Sequence, residues 1–224
     1  MRIPLTKYGT GQMLLYGGAA LVAAVLTAVL AVYLTAYFLI ASLAFAGALA
    51  FVLYFFRDPS RAVPDLPDLV VSPADGRVVE VSEVQENDFL RTRCHKIAIF
   101  MSPLDIHVNR APCRGRAEVI VHRPGSYHNA ASEAASSENE AVTMVLAEVH
   151  GEHRIVVRQV AGLMARRIVC DVREGSLLAR GERYGMIKLG SRVDLFMPIE
   201  SGFEPYVRPG HTVRGGETVL GRFA

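Results

Sequence analysis

Charge is missing from a long N-terminal part of this chain. No Asp, Glu, Lys, Arg or His lies between Lys7 and Arg57. The remainder lacks an excess of either sign: only Arg2 and Lys7 of the 24 basic residues precede Arg57, so residues 57–224 carry 22 basic and 22 acidic side chains. This balance argues against a general nucleic-acid binder, which needs a basic surface to displace counterions.

Cysteine is also scarce. The three cysteines show no Cys-x-x-Cys spacing, and an odd number does not suit a disulfide framework. We therefore expect reduced thiols in a cytosolic compartment. His150 and His153 lie in His-Gly-Glu-His between two strand-like runs, which favours a hairpin turn over a metal site. No metal is expected.

The uncharged stretch is long enough for two membrane-spanning helices. A span needs about 20 apolar residues, and the best segments here are 13–33 and 36–56. Basic residues flank both outer ends, which predicts a hairpin with both ends on the cytoplasmic side. A signal peptide has an apolar region of only about 7–15 residues, so this alternative is disfavoured, whereas a hairpin lying in the interface stays open. We predict a membrane anchor at 1–57 and a domain at 58–224 on the inner face.

The second domain has the pattern of a mainly β protein. Short β-type runs alternate with Gly and Pro turns, at 76–84, 96–101, 115–122, 143–149, 154–160, 168–172 and 193–198. A segment rich in Ala, Ser and Glu at 130–140 predicts a loop or a short helix. We predict a mainly β (α+β) domain with sandwich- or barrel-like Gly-rich hairpins, preceded by the N-terminal helical hairpin.

An internal repeat lies near the C-terminal end. The pattern Val-Arg-x-Gly-x5-Gly-Glu occurs at 172–182 and again 35 residues later at 207–217. Hairpins with glycine at these points are typical of turns that need positive φ, so the glycines predict structure rather than chemistry. The stretch between the two copies contains Gly190 and Ser191.

Ser191 is a candidate nucleophile toward the carbonyl that precedes it. Attack of the hydroxyl on the Gly190 carbonyl carbon would convert the amide to an ester, and glycine has no side chain to block it. β-Elimination would then release residues 1–190 and leave dehydroalanine, which becomes a pyruvoyl group as ammonia is lost. A pyruvoyl carbonyl is an electron sink that forms a Schiff base with a substrate amine, so that an α-carboxylate can leave.

Two further residues could assist this chemistry. His107, in the segment 101–112, is the best candidate for a general base. Asp75, in Ser-Pro-Ala-Asp-Gly-Arg-Val at 72–78, is a candidate to orient the histidine, as the acid of a triad does. Asp-Gly is also a turn signal, and Asp105 is an alternative orienting acid.

Together these segments resemble phosphatidylserine decarboxylase, in the short form of that family. The resemblance covers nearly all of residues 55–224, in order. The matching motifs are Phe-Phe-Arg-Asp-Pro at 55–59, Pro-Ala-Asp-Gly at 73–76, Asp-Ile-His-Val-Asn-Arg at 105–110, Pro-Gly-Ser-Tyr at 124–127, Asn-Glu at 139–140, Gln-Val-Ala-Gly-Leu-Met-Ala-Arg at 159–166 and Gly-Ser-Arg-Val-Asp at 190–194.

The resemblance implies a membrane-bound proenzyme that cleaves itself between Gly190 and Ser191 and acts on a phospholipid. The larger chain would be 1–190 and the smaller 191–224, with a pyruvoyl cofactor formed from Ser191. The self-processing residues of the family would correspond to Asp75, His107 and Ser191. A homo-oligomer is expected, and no nucleic-acid partner.

One departure from the family concerns a second histidine. Long-form members have it where this chain has Arg110. Two interpretations stay open: either His107 serves as both base and acid, or Arg110 binds carboxylate or phosphate. Arg192 replaces a hydroxyl residue of the long forms and is a second candidate for contact with the lipid phosphate.

Three other functions remain open at this point. An ether-lipid (archaetidylserine-type) decarboxylase would use the same head-group chemistry. A non-enzymatic membrane-anchored carrier would use Lys188 between the repeat copies. A serine hydrolase would use Ser191, His107 and Asp75, but Gly-x-Ser-x-Gly does not surround Ser191.

Overall fold

The computed structural model describes residues 5–130, 132, 134–149, 153–163, 167–188 and 190–224. The chain forms two compact units, Met1–Ser60 and Arg61–Ala224. The predicted turn at 150–152 and the motif residues 164–166 lie outside the described residues.

The first unit is a pair of apolar helices. Helix α1 (Lys7–Tyr33, 27 residues) includes a π-helical segment at Met13–Gly17, and helix α2 (Tyr37–Phe55) has 19 residues. The hydroxyl of Ser42 on α2 donates to the Ala24 carbonyl on α1 at 2.9 Å, which links the helices. Both helices are long and apolar enough to cross a membrane, in the positions that the sequence predicts.

The second unit is mainly β, as predicted. The part of the chain that the structure describes contains fourteen strands and the short helix α3 (Ala134–Glu138). The strands are β1 (Leu69–Val71), β2 (Gly76–Glu86), β3 (Thr92–Met101), β4 (Val108–Arg110), β5 (Gly115–Arg123), β6 (Ala141–Glu148), β7 (Arg154–Val160), β8 (Ile168–Cys170), β9 (Leu177–Leu178), β10 (Arg183–Ile187), β11 (Ser191–Pro198), β12 (Glu204–Pro205), β13 (Thr212–Val213) and β14 (Val219–Arg222).

A curled sheet of eight strands carries the core. Its order is β13-β2-β3-β11-β7-β6-β5-β9, and two three-stranded sheets, β1-β14-β12 and β4-β10-β8, complete the unit. Strand β11 is central: it pairs antiparallel with β3 from Ser191 to Pro198 and with β7 from Arg192 to Phe196. Alternation along β11 directs Val193, Leu195 and Met197 into the main hydrophobic cluster.

The sheet order is symmetric about the β11–β7 pair. The turn hydrogen bonds repeat as well: Gly175 N–H donates to Ala117 O at 2.7 Å, and Gly210 N–H donates to Val78 O at 2.8 Å. These two glycines have φ of 88° and 96°, as predicted for the repeat. The 35-residue repeat is thus the visible part of a duplication, in which β4–β10 form one half and β1–β3 with β11–β14 form the other. Gly190 and Ser191 lie where the chain returns from the first of these halves to the second.

The predicted strands are all present, with ends that differ by a few residues. Of the short strands, β8 was predicted, whereas the sequence pattern did not predict β1, β4, β9, β12, β13 and β14. Within the segment 130–140, the short helix α3 forms. All three cysteines are free thiols, and burial raises the pKa of Cys94 to about 11.

Candidate active site

Three neighbouring strands of the curled sheet, β2, β3 and β11, begin or end at the same end of the sheet. Strand β2 begins at Gly76, β3 ends at Met101 and β11 begins at Ser191. Met101 is the direct cross-strand partner of Ser191, and the Gly76 backbone lies so close to β3 that a Cβ atom there would be 2.1 Å from Phe100 O. Asp75, which precedes β2, therefore lies at the same end of the sheet as Ser191.

Gly190 is partly exposed, whereas Ser191, which follows it, is buried. Gly190 has φ of 64°, in the left-handed region that favours glycine. The Ser191 side chain is fully buried, and its hydroxyl donates to the Met101 sulfur at 3.4 Å. A thioether is a weak acceptor, so the structure shows the hydroxyl no strong hydrogen-bond partner among the residues that it describes.

The Gly190 carbonyl is held against the backbone of Gly162. A Cβ atom built at position 162 would be 1.7 Å from the Gly190 oxygen and 3.0 Å from the Ala130 Cβ. Only glycine allows this approach. Gly162 was part of the family motif, but its steric role follows only from the packing of two segments distant in sequence.

Replacing Gly162 by alanine is expected to slow self-cleavage at least about tenfold, because overpacking of this kind displaces the backbone that it meets. The uncut fraction of newly synthesised chain, followed over time on a denaturing gel, measures this. Gly47→Ala is the control, since a Cβ there meets nothing within 4 Å. Cleavage of the Gly162 variant at the wild-type rate would contradict the assigned packing.

His107 is buried next to the segment that leads to the predicted cleavage site. The Ile187 N–H donates to the His107 carbonyl at 3.3 Å, which places His107 beside the end of β10. The ring Nδ1 lies 2.9 Å from the Asp105 carbonyl oxygen. A carbonyl only accepts, so Nδ1 carries the proton in the neutral ring and Nε2 is the basic nitrogen.

Asp75 is held by an arginine that the sequence did not identify. Both Asp75 oxygens accept from Arg61 Nη2, at 2.8 and 2.6 Å, and the Gly215 N–H donates to Oδ1 at 2.8 Å. Burial raises the pKa of Asp75; the Gly215 hydrogen bond and the Arg61 charge oppose this only in part, and the Asp105 charge adds to it. The Asp105 carboxylate itself accepts from the Ser102 N–H at 2.8 Å.

The two candidate arginines lie in different places. Arg110 is buried on β4, where its Nη1 donates to the Gly181 carbonyl at 3.1 Å. Arg192 follows Ser191 on β11 and therefore points to the opposite face of the sheet. The structure does not bring the Arg192 and Ser191 side chains together.

Arg192 lies in a buried network of charges. Its Nε donates to Asp194 and its Nη2 donates to Glu80 at 2.9 Å, and Lys96 also pairs with Glu80 at 2.9 Å. Burial alone would lower the pKa of Arg192, but the two carboxylates outweigh it and raise the pKa. Ser136 on α3 donates to Asp194 at 2.7 Å, so the network also fixes the helix that covers this face.

Lys188 directly follows β10 and is half-buried. Burial lowers its pKa, and the nearby Arg167 charge adds to this. A carrier lysine needs an exposed hairpin tip, so this setting does not suit the carrier alternative.

Comparison with known proteins gives a consistent result. A family model described as phosphatidylserine decarboxylase matches residues 48–221. A protein of Salinibacter ruber named phosphatidylserine decarboxylase proenzyme is 47% identical over 178 residues, which are 79% of this chain and 77% of the relative. Proteins of the same name from Desulfotalea psychrophila and Syntrophus aciditrophicus are 43% identical over 175 residues (78% of this chain, 80% of the relative) and 41% identical over 198 residues (88% and 91%).

Proposed function

Because the chain belongs to the phosphatidylserine decarboxylase family, we propose that it is a proenzyme that cuts itself between Gly190 and Ser191. The mature enzyme converts phosphatidylserine to phosphatidylethanolamine and CO₂. The observation that carries the proposal is the buried Ser191 at a strand end, behind a left-handed glycine whose carbonyl is held in place.

Self-cleavage begins at the Ser191 hydroxyl. His107 Nε2 takes the hydroxyl proton, Oγ attacks the Gly190 carbonyl carbon, and the C–N bond breaks with the proton going to nitrogen, which gives an ester. Loss of the Ser191 α-proton then breaks the Cβ–Oγ bond, and its electron pair stays on Oγ as part of the Gly190 carboxylate. Water replaces the nitrogen of the remaining dehydroalanine and releases ammonia, which leaves a pyruvoyl group.

The surroundings of Ser191 suit a pyruvoyl group and its reaction. When formed, the group supplies an electron sink for the charge left by the departing carboxylate. The burial of position 191 excludes water, which favours loss of a charged carboxylate. We assign to His107 the return of a proton to the substrate carbon, and to Arg110 the binding of the substrate carboxylate or phosphate.

Arg61 and Asp75 lead to a prediction about pH. Ionised Asp75 supports the positive charge that His107 gains as base, so cleavage is lost as pH falls through the pKa of Asp75, which burial holds above its usual 3.8. Arg61→Met removes a cation that lowers this pKa. We expect the acid limb of the cleavage rate to move to higher pH.

This shift is measured from the cleavage rate of the full-length chain at pH values between about 4 and 8, the range in which carboxylates and histidines titrate. Arg93→Met is the matched control, because Arg93 forms an exposed pair with Glu83, with 70% and 49% of the two side chains exposed. An acid limb that stays in place or moves to lower pH would count against the role of Asp75.

We also propose that the helical hairpin inserts in the cell (inner) membrane, with residues 58–224 on the cytoplasmic face. The support is the length and apolar character of α1 and α2 and the basic residues at both outer ends. The chains 1–190 and 191–224 are expected to stay together after cleavage, since β11 pairs on both sides. A homo-oligomer is proposed from the family resemblance alone.

The proposal is tested by an assay of CO₂ release from phosphatidylserine in detergent micelles, with an ether-linked serine lipid in parallel to identify the preferred tails. Activity that appears with the cut chain, and is lost with Ser191, supports the assignment. A cut chain without activity on either lipid would contradict it.

A further inference from the structure

Two buried amides, those of Asn109 and Gln159, have no part in the proposed mechanism so far. Asn109 on β4 and Gln159 on β7 are at most 1% exposed, and Gln159 Nε2 donates to Asn109 Oδ1 at 2.8 Å. This bond joins residues 50 positions apart. It fixes the orientation of the Asn109 amide.

The nitrogen end of the Asn109 amide and the Ser191 hydroxyl share one neighbour, the Met101 sulfur. Asn109 Nδ2 lies 3.8 Å from the Met101 sulfur, and the Ser191 hydroxyl lies 3.4 Å from the same sulfur. The Asn109 donor and the Ser191 oxygen thus flank one weak acceptor, within a fully buried cluster.

A glycine on a neighbouring strand leaves room for the Asn109–Gln159 pair. Gly185 on β10 is the cross-strand partner of Asn109, and a Cβ there would be 3.2 Å from Gln159 Nε2. Gln159 is opposite Val193 on β11, two residues from Ser191 and on the same face. The absence of a side chain at 185 therefore leaves room for the Gln159 amide to reach Asn109.

The hydrogen-bonding groups of this pair are poorly satisfied. Gln159 Oε1 is buried without a hydrogen-bond partner among the described residues, and Asn109 Nδ2 has only a thioether. Buried polar groups are nearly always hydrogen-bonded, and exceptions are expected where a group acts in another state of the protein. Self-cleavage provides such a state next to Asn109.

We propose that Asn109 is a catalytic residue of self-cleavage, whose Nδ2–H donates to Ser191 Oγ, and that Gln159 is the residue that positions it. The inference rests on the proposed self-cleavage. Negative charge develops on Oγ twice: when the hydroxyl proton goes to His107, and when the Cβ–Oγ bond breaks and Oγ becomes a carboxylate oxygen. A fixed donor at this oxygen stabilises both steps and needs no further reactant.

Three variants test the roles separately. Asn109→Leu keeps the shape and removes the donor, and we expect cleavage to slow about 100-fold, the usual effect of losing one such donor. Gln159→Met is expected to slow cleavage about tenfold, through loss of orientation. The double variant is expected to be no slower than Asn109→Leu alone, because Gln159 acts through Asn109.

The double variant also separates catalysis from folding. It replaces both buried polar groups by apolar groups of similar shape, a change that is nearly neutral for stability. Cleavage of each full-length chain is timed by denatured mass after synthesis, with urea unfolding as the measure of folding. Ser201→Ala is the control, because the buried Ser201 hydroxyl donates to the nearby Pro198 carbonyl. Should Asn109→Leu unfold, Asn109→Asp replaces it and is expected to be as slow, since a carboxylate opposes charge on Oγ.

Each result has a defined meaning. A folded Asn109 variant that cleaves within about threefold of the wild type would overturn the catalytic role. Effects that multiply in the double variant would overturn the positioning role of Gln159. A wild-type chain that stays uncut would remove the proposed function and this inference together, whereas a cut wild type with a normal Asn109 variant removes this inference alone.

Discussion

Ser191→Ala is expected to leave a single uncut chain without decarboxylase activity. The hydroxyl is the atom that attacks the Gly190 carbonyl, and the pyruvoyl group is made from the same residue. The fold should persist, because the lost hydrogen bond is a weak one to the Met101 sulfur and such changes cost about 1 kcal/mol. Denaturing gels and CO₂ release measure the two losses.

The matched control is Lys188→Ala, three residues earlier in the chain. We expect this variant to be cut and active, since the half-buried Lys188 follows β10 and has no role in the proposed chemistry. A carrier would respond in the opposite way, and a serine hydrolase would keep an intact wild-type chain. Cleavage of Ser191→Ala at the wild-type rate would refute Ser191 as the nucleophile.

The second large effect is expected at Arg192. Arg192→Ala should lower the free energy of unfolding by about 3–5 kcal/mol, the usual cost of removing one partner of a buried ion pair. The reason is that Asp194 is fully buried and loses its main cation, while Glu80 keeps Lys96. Urea unfolding of the full-length chain in detergent measures the change.

Arg93→Ala is the control for this experiment. Its pair with Glu83 is exposed, and such pairs contribute about 0–1 kcal/mol. An Arg192 variant of unchanged stability but raised KM for phosphatidylserine would instead support contact between Arg192 and the lipid phosphate.

Most of the fold could be predicted because alternation of apolar residues marks the long strands. Strands such as β9 and β12 have two residues each, too few for any pattern. They form because they pair with neighbouring strands, β9 with β5 and β12 with β14. The duplication was visible only in its turns, where positive φ requires glycine. Elsewhere the halves share backbone geometry rather than residues.

The site could be predicted only where one short segment carries it. Ser191 and His107 lie in motifs. The contact of Arg61 with Asp75 instead joins two segments outside the strands, and that of Gln159 with Asn109 joins strands 50 residues apart. The direction of Arg192 depends on where β11 begins. The predicted run started at 193, so the opposite orientations of Ser191 and Arg192 were not apparent until the strand was seen to include both.

The denatured mass of the purified protein tests the central claim most directly. We predict two chains, 1–190 and 191–224, with the smaller lighter by one ammonia than a simple hydrolysis product that begins with serine. This result would establish cleavage between Gly190 and Ser191 together with the pyruvoyl group. A single chain of full mass, unchanged after addition of phospholipid, would contradict the account.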